Sequence, residues 1–229
     1  CGVGFVADIE GRKSHRIIQQ GLEILKRLAH RGAVGADPRA GDGAGVLFQI
    51  PDAFLRAVVD FDLPPAGHYG VGMLFLPDVE AARRVMEKIV ERFVVQEGQV
   101  ILGWRTVPVD NGGLGESVLP TEPHISQIFI GRGDNCADQD EFERELFVIR
   151  KSMDNHIRES DIAGKSFYYV PSMSSRTIVY KGMLLADQAG EYYQDLNDER
   201  IVTALALVHQ RFSTNTFPTW DLADRKSVV

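Results

Sequence analysis

The sequence predicts a mixed domain in which helices cover β-sheets, and three observations support this prediction. The chain has 229 residues, which is long enough to bury a full core. Its composition, with 44% hydrophobic and 25% charged residues, is that of an ordinary globular protein. Segments with the spacing of amphipathic helices are separated by short apolar segments that are typical of strands, and such a succession favours layers of helices on sheets.

The elements can be placed in order along the chain. A short buried strand, 2–7, directly follows Cys1. A helix over 14–30 comes next, because its apolar residues recur at helical spacing and Ser14 is in position to cap its first turn. A glycine-rich loop, 30–45, follows. The later elements are predicted as strand 46–50, helix 52–60, strand 69–77, helix 78–96, strand 99–109, loop 110–116, half-buried strand 124–131, charged helix 138–159, strand–turn–strand 167–182 and a last strand within 199–217 that feeds a loop.

Charge and cysteine content argue against several classes of partner. The net charge is -7 and the basic clusters are no longer than pairs, so a nucleic-acid partner is not expected. No apolar stretch approaches the length of a membrane span, so no membrane partner is expected either. Cys1 and Cys136 make neither a disulfide framework nor a metal-binding pattern. These features predict a cytoplasmic protein without a metal site.

The first residue is the main candidate for chemistry. A thiol and an α-amine share one Cα at Cys1, and their pKa values of about 8.5 and 7.7–8.0 make the amine a suitable base at neutral pH. Two other interpretations remain open on position alone. Cys1 could be an inert product of processing, or it could carry lipid, although a strand that begins at residue 3 disfavours the lipid tether. The motif alone favours the inert interpretation.

Two further motifs favour a catalytic role for Cys1 over the inert interpretation. "HRG" (30–32) precedes the glycine-rich loop, and "VHQRFSTNTFPTW" (208–220) follows the last apolar segment. Together with "CGVGF" they resemble the class II glutamine amidotransferases, a branch of the N-terminal nucleophile hydrolases. The longer stretches "GDGAGVLFQIP" and "FYYVPSMSSRTIVYKGML" resemble one group within that family, the amidotransferase domains of glutamate synthases. The resemblance implies an α+β fold arranged as a four-layer αββα sandwich, with residues 1–229 in a single domain.

The resemblance also implies a set of site residues and a reaction. Cys1 would attack the side-chain amide of glutamine and form a thioester, with its own α-amine moving the proton. Arg211 would bind the substrate α-carboxylate, for which a guanidinium fork is well shaped. Phe212 and Thr214 would wall the pocket or offer backbone contacts, and Arg31 would order the loops. Without the resemblance, Arg31 could instead cap a helix C-terminus and Arg211 could be a surface ion-pair partner.

Other residues that could take part in catalysis or binding are expected not to do so. His209 is expected to be a core or loop histidine, because the α-amine already serves as the base. Residues 41–45 lack the Gly-Lys-Ser/Thr ending of a nucleotide-binding loop and lead into a strand. Cys136 is expected to be a bystander, and the charged helix near 140–159 to present a solvated face.

The same resemblance indicates what would lie outside the chain. Relatives continue to an Asn-Gly pair that forms the oxyanion hole and to an Asp that binds the α-amine of glutamine, so the domain is expected to be truncated at its C-terminal end. FMN and an iron–sulfur cluster are implied for other domains, and none for this chain. Implied partners are those synthase domains and an electron-donating small subunit or ferredoxin. Another class II amidotransferase, or an inactive folded fragment that serves as an interaction unit, remains an alternative.

Overall fold

A computed structural model describes residues 2–32, 37–210 and 218–222. The described residues form helices and antiparallel sheets, which confirms the α+β fold class. The regular elements are β1 (Gly2–Ala7), α1 (His15–Arg27), β2 (Ala44–Gln49), α2 (Asp52–Val58), β3 (Tyr69–Leu76), α3 (Glu80–Gln96), β4 (Val100–Thr106), β5 (His124–Gly131), α4 (Gln139–Glu159), β6 (Tyr169–Ser174), β7 (Thr177–Gly182), α5 (Gln188–Tyr192) and β8 (Leu205–Gln210).

The chain divides into two compact units, each assembled from separate stretches of sequence. Unit 1 takes residues up to 54, residues 107–122 and residues from 179 onward. Unit 2 takes residues 55–106 and 123–178. Each unit contains one four-stranded sheet, in the order β1-β8-β2-β7 for unit 1 and β4-β5-β3-β6 for unit 2.

Helix α1 packs on one face of the unit 1 sheet, against β1, β8 and β2. The fit is close because glycines stand at the contact. A Cβ built on Gly21 would lie 3.0 Å from the Cβ of Ala206, and one built on Gly4 would lie 2.5 Å from Ile24. The prediction that β1 is a buried strand is therefore wrong for its large side chains. The glycine face of β1 receives the helix, while Val3 and Phe5 are 59% and 70% exposed.

The unit 2 sheet carries α3 and α4 on one face. Its core consists of apolar side chains from the two helices and the sheet, among them Leu74, Met86, Val90, Ile128, Phe142, Leu146 and Met153. β5 was predicted to be half-buried, but seven of its eight residues are buried. It lies between β4 and β3 in the sheet. The polar face of α4 is exposed, as predicted for this charged helix.

The predicted strand–turn–strand at 167–182 exists, but its two strands do not pair with each other. β6 pairs with β3 in the sheet of unit 2, whereas β7 is the neighbour of β2 in the other sheet. The carboxylate of Glu143 fixes the turn by accepting hydrogen bonds from the Ser174 hydroxyl, at 2.9 Å, and from the backbone N–H of Ser175. The connection therefore leads from one sheet to the other.

Ser14 occupies the N-cap of α1, but its side chain makes no capping hydrogen bond. Its backbone instead pairs with Thr203 in an isolated β-bridge. This corrects the predicted capping mechanism and ties the start of α1 to the approach to β8. Within the described ranges, no helix has the length and apolar character needed to cross a bilayer.

Candidate active site

Three strands of unit 1 each begin or end at the same end of the sheet. Their terminal residues lie side by side in a row. Gly2, the first residue of β1, is the register partner of Gln210, the last residue of β8. Ala44, the first residue of β2, is the register partner of Gln210 on its other side. The row thus joins the residue after Cys1, the residue before Arg211 and the end of the glycine-rich loop. Sequence positions about 200 residues apart meet here.

Arg31 lies beside this row. It ends the short 3₁₀ turn Ala29–Arg31 that follows α1, and a Cβ built on Gly2 would lie 3.1 Å from its Cβ. The last turn of α1 already has Lys26 and Arg27, and Leu28 is the C-cap of the helix. Arg31 therefore stands beyond the position of a helix cap, and the first carbons of its side chain lie next to the residue that follows the predicted nucleophile.

Four of the five predicted site residues, Cys1, Arg211, Phe212 and Thr214, lie outside the described residues. Their roles stay predictions. The row places the chain neighbours of two of them together, Gly2 for Cys1 and Gln210 for Arg211. Arg31 is the one predicted site residue with described surroundings.

The glycine-rich loop ends in a strand, as predicted from its sequence. Gly43 has φ +125°, a backbone conformation that favours glycine, and β2 begins at the next residue. Gly41 packs directly on the main chain of Leu184, because a Cβ built on it would lie 2.2 Å from the carbonyl carbon and oxygen. The loop leads into the strand β2 and not into a helix, so it has no helix N-terminus of the kind that binds a phosphate.

Two polar contacts join the part of this loop at 37–40 to the 107–122 segment. The carboxylate of Asp37 accepts hydrogen bonds from the backbone N–H of Ser117, at 3.1 Å, and from its hydroxyl, at 3.0 Å. The pKa of Asp37 is held below its usual value, chiefly by the Ser117 backbone N–H and next by that of Arg39. The ionised form is thus the one that the loop geometry favours.

Gln188, a buried residue at the start of α5, makes the second contact. Its Nε2 donates to the carbonyl oxygens of Arg39, at 3.1 Å, and Gly113, at 2.8 Å. Its Oε1 accepts from the backbone N–H of Leu185 at 2.8 Å. One side chain thereby joins three stretches of unit 1. Sequence reasoning missed this residue, because a single glutamine in a polar stretch carries no distinguishing pattern.

Residues 218–222 are held against the same unit. Trp220 is 5% exposed, and a Cβ built on Gly182 would lie 2.5 Å from its ring. The ring of Tyr192 lies 5.8 Å from that of Trp220, centroid to centroid. Lys181 donates from Nζ to the carbonyl oxygen of Asp221 at 3.3 Å. The sequence 211–217 is therefore bounded by a buried residue, Gln210, on one side and by this docked segment on the other.

The remaining candidates, His209 and Cys136, are both buried. His209 is 4% exposed and lies within β8, which confirms a core histidine. Cys136 is buried in unit 2, and burial raises the pKa of its thiol. A thiol of this kind is a weak nucleophile at neutral pH. Across the described ranges, no group of three or more His, Cys, Asp and Glu residues could hold a metal ion.

Comparison with known proteins gives a consistent picture. The family model for class-II glutamine amidotransferases matches residues 1–229. The chain is 49% identical over 224 residues to the large chain of glutamate synthase [NADPH] of Bacillus subtilis and 40% identical over 226 residues to that of Azospirillum brasilense. It is also 40% identical over 226 residues to ferredoxin-dependent glutamate synthase 2 of Synechocystis sp.. Each alignment covers 97% of this chain but only 14–15% of the relative's length. The chain belongs to the class-II glutamine amidotransferases.

Proposed function

We propose that this chain is the glutaminase part of a glutamate synthase, which releases ammonia from glutamine for the synthesis of glutamate from 2-oxoglutarate. The main support is the 49% identity to a glutamate synthase large chain over nearly the whole of this sequence. The row of Gly2, Gln210 and Ala44 adds physical support, because it joins the chain neighbours of Cys1 and Arg211 at one edge of a sheet. A nucleophile and a carboxylate-binding cation have to be close for this reaction.

The proposed reaction begins at Cys1. Its thiol gives a proton to the α-amine, usually through a water molecule, and the sulfur attacks the carboxamide carbon of glutamine. The C–N bond breaks, the proton goes to the leaving nitrogen, and ammonia departs from a thioester. Water then attacks the thioester carbon, which releases glutamate and restores the thiol. This use of a terminal amine as base is an established way to activate a nucleophile.

The other predicted residues have binding roles in this proposal. Arg211 binds the α-carboxylate of glutamine through two parallel hydrogen bonds, while Phe212 and Thr214 wall the pocket. Arg31 orders the loops around the site. Its place beside Gly2 supports this role, since a shift of the 3₁₀ turn would press on the start of β1.

We also propose the finer features of the fold and of the whole enzyme. The two sheets and their helices would form the four layers of an αββα sandwich, with residues 1–229 acting as one domain. The whole enzyme would be cytoplasmic and would use FMN and an iron–sulfur cluster in its other domains. The two cysteines of this chain are fewer than the four thiolates of a common cluster. The electron donor would be a small subunit or ferredoxin.

An electrophilic glutamine analogue with a diazo-ketone group tests the proposed nucleophile. We expect one covalent adduct by intact mass, located at Cys1 by peptide mapping and absent in Cys1→Ser. The buried Cys136 thiol serves as an internal control, because its raised pKa disfavours the reactive thiolate. An adduct at Cys136, or equal labelling of Cys1→Ser, would show that the site is assigned wrongly.

Arg211→Lys tests the proposed carboxylate clamp. A lysine keeps the positive charge but cannot make two parallel hydrogen bonds from a rigid fork, so we expect the KM for glutamine to rise about tenfold or more, the equivalent of one charge-assisted hydrogen bond. The turnover number should change less. Steady-state measurement of glutamate release gives both constants. Arg176→Lys is a matched control in unit 2, and it should leave the KM unchanged. An unchanged KM in Arg211→Lys would rule out the clamp.

A further inference from the structure

Gln210 is a buried amide whose surroundings set it apart from the other buried glutamines. It is 1% exposed, and its Oε1 has no hydrogen-bond donor among the residues that the structure describes. Gln99, by comparison, donates to the carbonyl oxygen of Glu97 and to Oδ1 of Asn135 and accepts from the backbone N–H of Gly133. Gln188 likewise has partners for both ends of its amide.

The position of Gln210 makes this lack of a donor informative. Register partners in an antiparallel sheet project from the same face, so its side chain shares a face with Gly2 and Ala44. Its Nε2 is 2.6 Å from the point where a Cβ on Gly32 would lie. The amide therefore sits between the start of β1, the residue after Arg31 and the start of β2. The glycine at position 32 leaves room for it.

A buried polar group without a partner lowers the stability of a fold. Such groups are rare in native proteins, and a role in function is one of the reasons for which they persist. A methionine of similar length would fill the same space without an unsatisfied carbonyl. The presence of glutamine at this position thus indicates a partner that arrives in the working site.

We propose that the carboxamide of Gln210 belongs to the glutaminase site and that its Oε1 accepts a hydrogen bond from an N–H donor there. This inference rests on the proposed function. Two sources can supply such a donor, namely the α-amine of Cys1, which is one residue from Gly2, and an N–H group of the bound glutamine. In the first case Gln210 is a positioning residue for the base, and in the second it binds substrate directly.

The pair Gln210→Met and Gln99→Met tests the inference in the whole 229-residue chain, with Cys1 as its first residue. The readouts are the urea midpoint of unfolding and the rate of Cys1 alkylation by the diazo-ketone analogue. For Gln210→Met we expect an equal or higher midpoint together with alkylation about tenfold slower, which is the effect of one lost hydrogen bond to a charged group. For Gln99→Met we expect a lower midpoint and alkylation within twofold of the parent chain.

The dependence of alkylation on pH and on analogue concentration identifies the donor. An acceptor stabilises the ammonium form of an amine and raises its pKa. If the donor is the α-amine, Gln210→Met therefore moves the acid limb of the profile to lower pH. The half-saturating concentration then stays constant. If the donor is the substrate, the half-saturating concentration rises about tenfold and the acid limb stays in place.

The same substitution leaves the charges around this edge of the sheet unchanged, so a shift of the acid limb reports on the amide itself. Among the described residues, these charged or titratable groups are His30 and Arg31 from the turn after α1, His209 from β8 and Asp42 from the loop before β2.

Alkylation of Gln210→Met within twofold of the parent rate would overturn the inference. A fall in its urea midpoint as large as that of Gln99→Met would also overturn it, because the amide would then be structural. A parent chain that is not alkylated at Cys1 would overturn the proposed function itself, and this inference with it.

Discussion

A single alanine added ahead of Cys1 is expected to reduce glutamine hydrolysis about 100- to 10,000-fold, the usual contribution of a positioned general base. The added peptide bond converts the basic α-amine into an amide, which cannot accept a proton at neutral pH. The thiol stays in the sequence, so the loss would report on the base alone. Glutamate release from glutamine, measured on the purified chain with its exact N-terminus checked by intact mass, gives the result.

A removable extension provides the matched control. The same chain with a protease site ending directly before Cys1 should be inactive before cleavage and should reach the rate of the parent chain after it. Its far-ultraviolet circular dichroism should be equal in both forms, because β1 begins at Gly2 and keeps its register with β8. Turnover by the uncleaved chain at more than a tenth of the parent rate would refute a terminal-amine mechanism.

The second large effect, a loss of folding stability, is expected from Gly41→Ala. The new methyl group would stand 2.2 Å from the main-chain carbonyl of Leu184 and 2.4 Å from the nitrogen of Leu185. Backbone atoms cannot relieve a clash by a change of rotamer, as a flexible side chain can. Either the loop or the 184–185 segment must therefore move. Overpacking of this kind costs about 3 kcal/mol or more. Urea unfolding should show this loss of stability.

Gly113→Ala is the control for Gly41→Ala. It also lies in a loop of unit 1, but the nearest atom to its added Cβ would be Oε2 of Glu191 at 3.9 Å, an ordinary contact. We expect its free energy of unfolding to stay within about 0.5 kcal/mol of the parent, as for most surface substitutions. Equal stability of the two variants would mean that Gly41 does not pack closely on the main chain of Leu184.

The sequence predicted the existence and type of the long elements, because their periodicity is local. β1 and β5 show what local reasoning could not supply. The apolar letters of β1 predicted burial, but the helix packs against its glycines, so the close approach of two backbones decided which face was covered. β5 alternates in sequence, yet nearly every residue on both of its faces is buried, which depends on what packs on the sheet and not on the strand's own sequence. The strands β6 and β7 follow a short turn but join different sheets.

The site residues that the sequence singled out came from motif resemblance rather than from spacing. Arg31 was found in this way, and its place beside Gly2 agrees with a position at the site. Gln188 and Gln210 were not found. Their importance depends on contacts between segments that lie far apart in sequence. The sequence alone does not show whether the side-chain amide of a glutamine has hydrogen-bond partners. The register of three strands was needed to place Gln210 between Gly2 and Ala44.

The register of β1 with β8 also sets the order of events during synthesis. Among the described strands, β1 lies at the edge of its sheet and pairs with β8, which is made about 200 residues later. At the usual 5–20 residues per second, the interval is roughly 10–40 s. Throughout that time β1 has no strand to pair with, and contacts so distant in sequence are slow to form. Gly2 can therefore take its place beside Gln210 only after the ribosome has made β8.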